Sequence, residues 1–382
     1  MKKLGFGCMR LPVLGESKDF MSAEDIDLAQ FCQMVDTFME RGFTYFDTSY
    51  VYHNGKSEVF LKEALVKRYP RESFLLADKL PTFSITRPEQ VPVIFEEQLE
   101  RCGVSYFDYY LLHNIWETNY DTNIVPCDEF GFACRMKKEG KIRHLGMSFH
   151  DSPETLDRIL TEHPEVEFVQ IALNYYDWDS ELVQSRRCYE VIRRHNRQVI
   201  VMQPVKGGML AQVPDDVRSE MEQMRPGMTP ASWAVRFAAG LEGVIVVLSG
   251  MSNLQQIEDN TSYMQEFLPL SRQEQDFLKK AVEVMKQSKT VACSQCKKCD
   301  AACPKNIHIS DILGTYNTIM RQREQGLDVN VELNYYRPLK RRQHGGDICD
   351  GCGKCSEVCP MQLDVVRELK HASEFQDEHS FW

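Results

Sequence analysis

Eight short runs of β-branched, aromatic and aliphatic residues recur along the first two thirds of the chain: KLGFGCM, FTYFD, FLLADK, FDYYLLH, IRHLGMS, VEFVQIALN, QVIVMQP and GVIVVLS. Longer, more polar stretches separate them, and inside those stretches apolar residues return at helical spacing. After the first run, Leu28, Phe31, Cys32, Val35, Phe38 and Met39 form one stripe. After the third, Val91, Ile94, Phe95 and Leu99 repeat it, with the polar Gln98 set inside. Strands this apolar are buried on both faces, the habit of a parallel sheet covered by helices. Eight strand–helix units in about 250 residues predict a (β/α)8 TIM barrel, with an open doubly wound sheet as the competitor.

A further helix is predicted over residues 271–287, capped by Ser271 and striped by Phe277, Leu278, Ala281, Val282 and Met285. Beyond it the rhythm stops and a cysteine pattern appears twice, as CSQCKKCDAACP at 293–304 and CDGCGKCSEVCP at 349–360. A long insert separates the two copies, and its stretch 309–322 has helical spacing. The chain therefore reads as a barrel with a trailing helix over 1–287, then a small, mostly α-helical, ferredoxin-like 4Fe-4S dicluster domain over 288–382. Three thiolates spaced by two residues can converge on one cubane, while the fourth, just before proline, reaches the other cluster. This assigns Cys293, Cys296, Cys299 and Cys359 to one 4Fe-4S cluster, and Cys349, Cys352, Cys355 and Cys303 to the second. Zinc, the other ion that CxxC pairs hold, fits two complete runs poorly. Crossed ligation ties the two halves of the tail together, so losing one cluster should unfold the region holding the other. Cys32, Cys102, Cys134 and Cys188 fall in helical segments and read as small hydrophobes, and Cys8 and Cys127 lack a nearby activating base in sequence.

The net charge of −11, from 45 Lys+Arg against 56 Asp+Glu, offers no basic excess to displace counterions from nucleic acid. The acidic excess lies on 1–287, with 32 Lys+Arg against 43 Asp+Glu, whereas 288–382 balances at 13 of each. The longest apolar run, VIVVL at 244–248, is too short for a membrane span, and Arg10 interrupts the stretch a signal peptide would need. Fourteen cysteines without an export signal point to metal ligands and reduced thiols, hence to the cytoplasm.

Chemistry in such a barrel sits where the strands end. Asp47 ends the second strand, Tyr52 follows in its loop, Lys79 ends the third and His113 the fourth. Alone, each has a bland explanation as a cap or a satisfied hydrogen-bonding group. Together, on consecutive strands, they converge on one rim. This constellation resembles the aldo/keto reductases, in which an Asp, a Tyr five residues later, and a Lys and a His at the next two strand ends form the catalytic set. The resemblance spans residues 1–266, and a bacterial subgroup of that family carries a two-cluster tail like this one. It implies NAD(P)H-dependent interconversion of a small carbonyl compound and its alcohol. Tyr52 would donate the proton, with its pKa lowered by the Lys79 ammonium; Asp47 would hold Lys79, and His113 would orient the carbonyl.

No GxGxxG is present, but barrel phosphate sites are built from the loops after strands seven and eight. Here those loops are VKGGML at 205–210 and SGMSNLQQIEDN at 249–260. Lys206, Gly207, Gly208, Gly250, Ser252 and Asn260 are their candidate contacts. The resemblance further implies that Ser148 and Gln170 hold the nicotinamide carboxamide. Phe149 replaces the usual asparagine, Met202 stands where an aromatic commonly stacks on the ring, and Gln256 where an arginine often pairs with a 2′-phosphate. NAD and NADP both stay open, with Lys206 the cation that could compensate. Trp116, Tyr120, His150, Tyr175 and Trp178 are expected to wall the substrate pocket. One-electron clusters in a hydride enzyme leave three readings. The clusters exchange electrons with an external carrier, a flavin being the usual converter and not excluded; or they are structural; or the protein is an iron–sulfur electron-transfer protein using its barrel as a docking scaffold.

Overall fold

The computed structural model describes residues 2–15, 25–287, 290–327 and 329–379. Residue 288, the expected start of the second domain, lies outside them. The chain forms two compact units, one of Met1–Asn174, Gln184–Pro204 and Ala231–Leu270, the other of Tyr175–Val183, Val205–Pro230 and Ser271–Trp382.

In the first unit all eight apolar runs become strands: β1 (Leu4–Gly7), β2 (Tyr45–Asp47), β3 (Leu75–Leu80), β4 (Phe107–Ile115), β5 (Ile142–Phe149), β6 (Phe168–Ala172), β7 (Gln198–Met202) and β8 (Val244–Ser249). They close into a parallel barrel in sequence order, with β8 returning to β1. Side chains alternate between the faces of a strand, so every second residue enters the barrel. Tyr45, Ala77, Leu111, Phe168, Ile200, Val246 and Leu248 fill that interior. Gly146 must be glycine there, because a Cβ would lie 2.4 Å from the Phe168 ring.

The outer residues meet the helices. The helix Leu28–Glu40 buries Phe31, Met34, Val35 and Phe38, and Phe38 packs its ring against those of Phe6, Phe43 and Phe46. Burying each such side chain contributes about 1.5–3 kcal/mol. The helix Gln90–Cys102 buries Val91, Phe95, Leu99 and also Gln98. The polar exception is a partnered one: the Gln98 amide donates to the Lys79 carbonyl (3.0 Å) and accepts from the Tyr110 hydroxyl (2.5 Å).

The second unit holds only helices and turns among its described residues. The helix Arg272–Lys286 starts on a reciprocal cap between Ser271 and Glu274. Ile309–Glu324, Asn330–Arg341 and Val365–His379 are the other long helices. Their core gathers Ile307, Ile312, Leu313, Tyr316, Tyr336 and Leu369, with Cys299 and Cys355 buried inside it. Among the described residues, no helix is long and apolar enough to cross a membrane.

Candidate active site

The barrel interior is layered, and the layering places the chemistry. Tyr45, Ala77, Leu111, Phe168 and Ile200 belong to the apolar plug. Two residues further along the same strands stand Asp47, Lys79, His113, Gln170 and Met202. Period-2 alternation therefore sets the polar groups on the layer directly above the plug, at the strand ends. Ser148 follows Gly146 in the same way and lies in register with Gln170.

Lys79, 1% exposed, spends its three protons on three acceptors. They are Asp47 Oδ1 at 2.5 Å, the Thr48 carbonyl at 2.6 Å and the Tyr52 hydroxyl at 3.3 Å. Burial pulls its pKa down, but the Asp47 charge and the Tyr52 phenol more than reverse this, so the ammonium stays charged. Burial pushes Asp47 up while Lys79 pulls it down, and its second oxygen accepts from Gln170 Nε2 (3.4 Å). Tyr52 corrects an expectation. Lys79 does pull the phenol down, but burial outweighs it and the net direction is up. Tyr52 thus keeps its proton at neutral pH until something accepts it.

His113 Nδ1 lies 2.9 Å from Ser49 Oγ, and the rings of Tyr52 and Phe83 stand edge-on to its own. Burial first, then Lys79 and His150, push its pKa well below the usual histidine range, so it is neutral. His150, half-buried, is pushed down to about 4 by desolvation. Cys8 lies under the same groups. It feels the charges of Asp47 and Lys79, but burial raises its thiol, which is inert.

The turn that presents Tyr52 is left-handed for three residues, at φ 50° (His53), 51° (Asn54) and 80° (Gly55). Such backbone persists only where surroundings fix it. His53 Nε2 accepts the Leu11 N–H (3.1 Å), and a Cβ on Gly55 would meet Arg101 Nη1 at 2.8 Å. Of the expected pocket walls, Tyr120 is buried and turns its hydroxyl to Glu162 and His163 (2.9 Å to the latter). Tyr175 and Trp178 belong to the second unit.

Ser148 Oγ accepts the Asn114 N–H (2.7 Å), which leaves its proton to donate. Gln170 commits its Nε2 to Asp47 and takes no bond at Oε1 among the described residues. One donor and one acceptor side by side suit a primary carboxamide, so this pair fits the nicotinamide end of a cofactor. A Cβ at Gly250 would meet nothing within 4 Å. Asn253, rather than Ser252, caps the helix Leu254–Gln265. Ser252 donates to the Arg10 carbonyl, and Gln256 Oε1 accepts the Ser252 N–H. Asn260 is spent internally, on Ser249, Tyr263 and the Gln256 carbonyl.

Lys206, Gly207 and Gly208 belong to the second unit. Lys206 does not offer its ammonium to a phosphate. Asp177 takes it with both oxygens (2.9 and 2.7 Å) and Glu332 with one (2.8 Å), all at 6% exposure or less. In the same unit Cys303, Cys349, Cys352 and Cys355 line one small cavity. Cys293 lies in the field of Cys296 and Cys359, and Cys299 in that of Cys293. Two crossed quartets are thereby brought together. A tetrahedral zinc with bonds near 2.3 Å would draw its sulfurs to about 3.8 Å from one another. Among the described residues, the one group of three or more candidate ligand atoms within 4.8 Å of each other is Glu58, Asp78 and Cys102. Four thiolates in each quartet are the ligand set that a cubane takes.

The sequence model of the aldo/keto reductase family matches residues 3–283, and that of the 4Fe-4S dicluster domain matches residues 292–363. The chain belongs to the aldo/keto reductase family. Similar curated proteins include the uncharacterized oxidoreductase YqkF of Bacillus subtilis, 22% identical over 68% of this chain and 86% of that one. Another is the uncharacterized oxidoreductase C215.11c of Schizosaccharomyces pombe, 25% identical over 68% and 80%. Among solved structures, an aldo-keto reductase from Klebsiella pneumoniae in complex with NADPH superposes with a TM-score of 0.58, at 19% identity over 73% of this chain and 90% of that one. The holo form of AKR11C1 from Bacillus halodurans gives 0.55, at 21% identity over 73% and 91%. These likenesses show the fold.

In this aldo/keto reductase three contacts of the site have no counterpart in the sequence expectations. Ser49 meets His113, and Cys8 lies in the field of Asp47 and Lys79. Gln170 was read for the cofactor alone, although it also touches Asp47. A serine two residues past a strand-end aspartate was the available signal for the first.

Proposed function

We propose that the protein is a nicotinamide-dependent oxidoreductase interconverting a small carbonyl compound and its alcohol, with Tyr52 as the proton donor. The observation that carries this is the phenol of Tyr52 against a buried, charged Lys79 that Asp47 holds in place. Reduction adds hydride to the carbonyl carbon and a proton to its oxygen, breaking the π bond. Ser148 and Gln170 would hold a nicotinamide, which would supply or accept the hydride. Tyr52 keeps its proton until the oxygen becomes basic, then yields it as Lys79 stabilises the phenolate. His113, neutral beside the phenol, donates to the same oxygen and orients it. Cys293, Cys296, Cys299 and Cys359 would hold one 4Fe-4S cluster, and Cys303, Cys349, Cys352 and Cys355 the other.

The test uses anaerobic, iron-loaded protein with NADH and NADPH against sugars, ketosteroids and simple aldehydes. Tyr52→Phe should lower turnover about 10²–10⁴-fold while nicotinamide binding persists. Full activity in that variant would refute the assignment. A second reading gives the clusters an electron-carrying role with an external partner, and the exposed Cys296 and Cys352, one in each quartet, favour it. A reductive titration in which neither cluster changes state within the range of biological donors would remove it.

A further inference from the structure

The loop after β2 does more than deliver Asp47. Three consecutive residues there reach both Lys79 and His113: Asp47 and the Thr48 carbonyl hold Lys79, and Ser49 Oγ meets His113 Nδ1 at 2.9 Å. The Ser49 carbonyl also accepts the Tyr52 N–H (3.1 Å), so one residue touches both Tyr52 and His113. The His113 backbone is pinned separately, by Thr82 Oγ1 on its carbonyl (2.6 Å), which Asn119 holds in turn. The ring orientation is thus left to Ser49 and to the flanking rings of Tyr52 and Phe83.

A neutral imidazole donates at one nitrogen and accepts at the other. Ser49 is fully buried, and its hydroxyl has one partner among the described residues, His113. If Nδ1–H donated to Ser49, the hydroxyl proton would be left buried with no acceptor. If Ser49 donates, only oxygen lone pairs go unused, and an orphaned buried donor is rarer than an oxygen with a spare lone pair. The second arrangement is the favoured one, and it forces the ring proton onto Nε2.

We propose that Ser49 is a positioning residue that, by donating its hydroxyl proton to Nδ1, fixes His113 as the tautomer able to donate from Nε2 to the substrate oxygen. This rests on the proposed carbonyl chemistry for its consequence, but not for its geometry. Without Ser49 the ring can place its proton on Nδ1 and present a lone pair, which repels a carbonyl oxygen that is gaining negative charge.

The experiment compares wild type, Ser49→Ala and Ser49→Thr as iron-loaded protein labelled with [15N]histidine, using His113→Gln to assign the His113 ring nitrogens. Wild type and Ser49→Thr should show a protonated Nε2 and a bare Nδ1, and Ser49→Ala should move protonation to Nδ1 in a substantial fraction. A wild-type proton on Nδ1, or an unchanged ring in Ser49→Ala, overturns the proposal. In the carbonyl assay, Ser49→Ala should lower kcat by up to about 10²–10³-fold, the loss when one donor to a developing oxyanion is removed. KM for the nicotinamide should hold, and Ser49→Thr should recover the rate. A tautomer switch that leaves turnover untouched also overturns the positioning role. Should Tyr52→Phe stay fully active, the reaction itself is misassigned, yet the nitrogen spectra still decide the tautomer.

Discussion

Lys79 and Lys206 are two ammonium groups removed from water to the same degree, at 1% and 2% exposure. In both, burial pulls the pKa down and carboxylates more than restore it. Their company differs. Lys206 is saturated by two carboxylates, and Gln322 closes the group by donating to Glu332 Oε1 and to the Lys206 carbonyl. Lys79 has one carboxylate, one backbone carbonyl and a phenol. Neither depth nor a perturbed pKa separates a working lysine from a structural one. The distinguishing feature is a phenol bonded to the ammonium itself: Lys79 donates to the Tyr52 hydroxyl, whereas Lys206 only faces the ring of Tyr176, 5.4 Å from its centroid.

The contrast breaks most readily at Lys79. Lys79→Met should cut carbonyl turnover by about 10²–10⁴-fold, the contribution of positioned acid catalysis. Steady-state rates checked against intact nicotinamide binding would show it, and unchanged turnover would erase the distinction between the two lysines. Lys206→Met should instead damage folding. It leaves Asp177 and Glu332 buried together with no cation, a loss of about 3–5 kcal/mol. Urea unfolding of the iron-loaded protein reads this, and a shift below about 1 kcal/mol would mean that the triad is not an anchor.

Glu129 extends the series to a buried carboxyl with no cation to hold its charge, which therefore stays protonated. Among the described residues neither of its oxygens has a hydrogen-bond partner, and burial pushes it from the ordinary 4.5 to about 8. The folded chain therefore holds a proton that the unfolded chain releases above pH 4.5. This contribution to stability is complete below that value and disappears as the pH rises through 8. Glu129→Gln should flatten the pH dependence between these limits by at most about 1.4 kcal/mol per pH unit. A wild-type curve with the same slope as the variant's would mean that Glu129 finds a partner when folded.

The barrel was legible because its strands are apolar runs and its interior is a period-2 problem: Tyr45, Ala77 and Leu111 announce Asp47, Lys79 and His113. The cysteine spacing is equally local. The errors came from contacts between distant residues. Nothing around VKGGML signals that Lys206 meets Glu332 across 126 positions, so an ammonium near two glycines read as a phosphate ligand. The direction of the Tyr52 shift failed for a related reason. Residue types name the charges, but the desolvation that outweighs Lys79 is set by how much chain covers the phenol. Gln98 looked like a blemish in a helical stripe until Lys79 and Tyr110 appeared on either side of it.

The ion triad has a consequence for cutting the molecule in two. Segments 175–183 and 205–230 lie between barrel strands in the sequence, yet they fold with the cysteine-bearing part. A protein ended near residue 287 would strand Lys206 and Asp177 without Glu332, and would uncover Leu327's perch against Gly208. The iron-binding tail is thus not a removable accessory, and a shortened barrel would be expected to precipitate rather than to serve as a simplified enzyme.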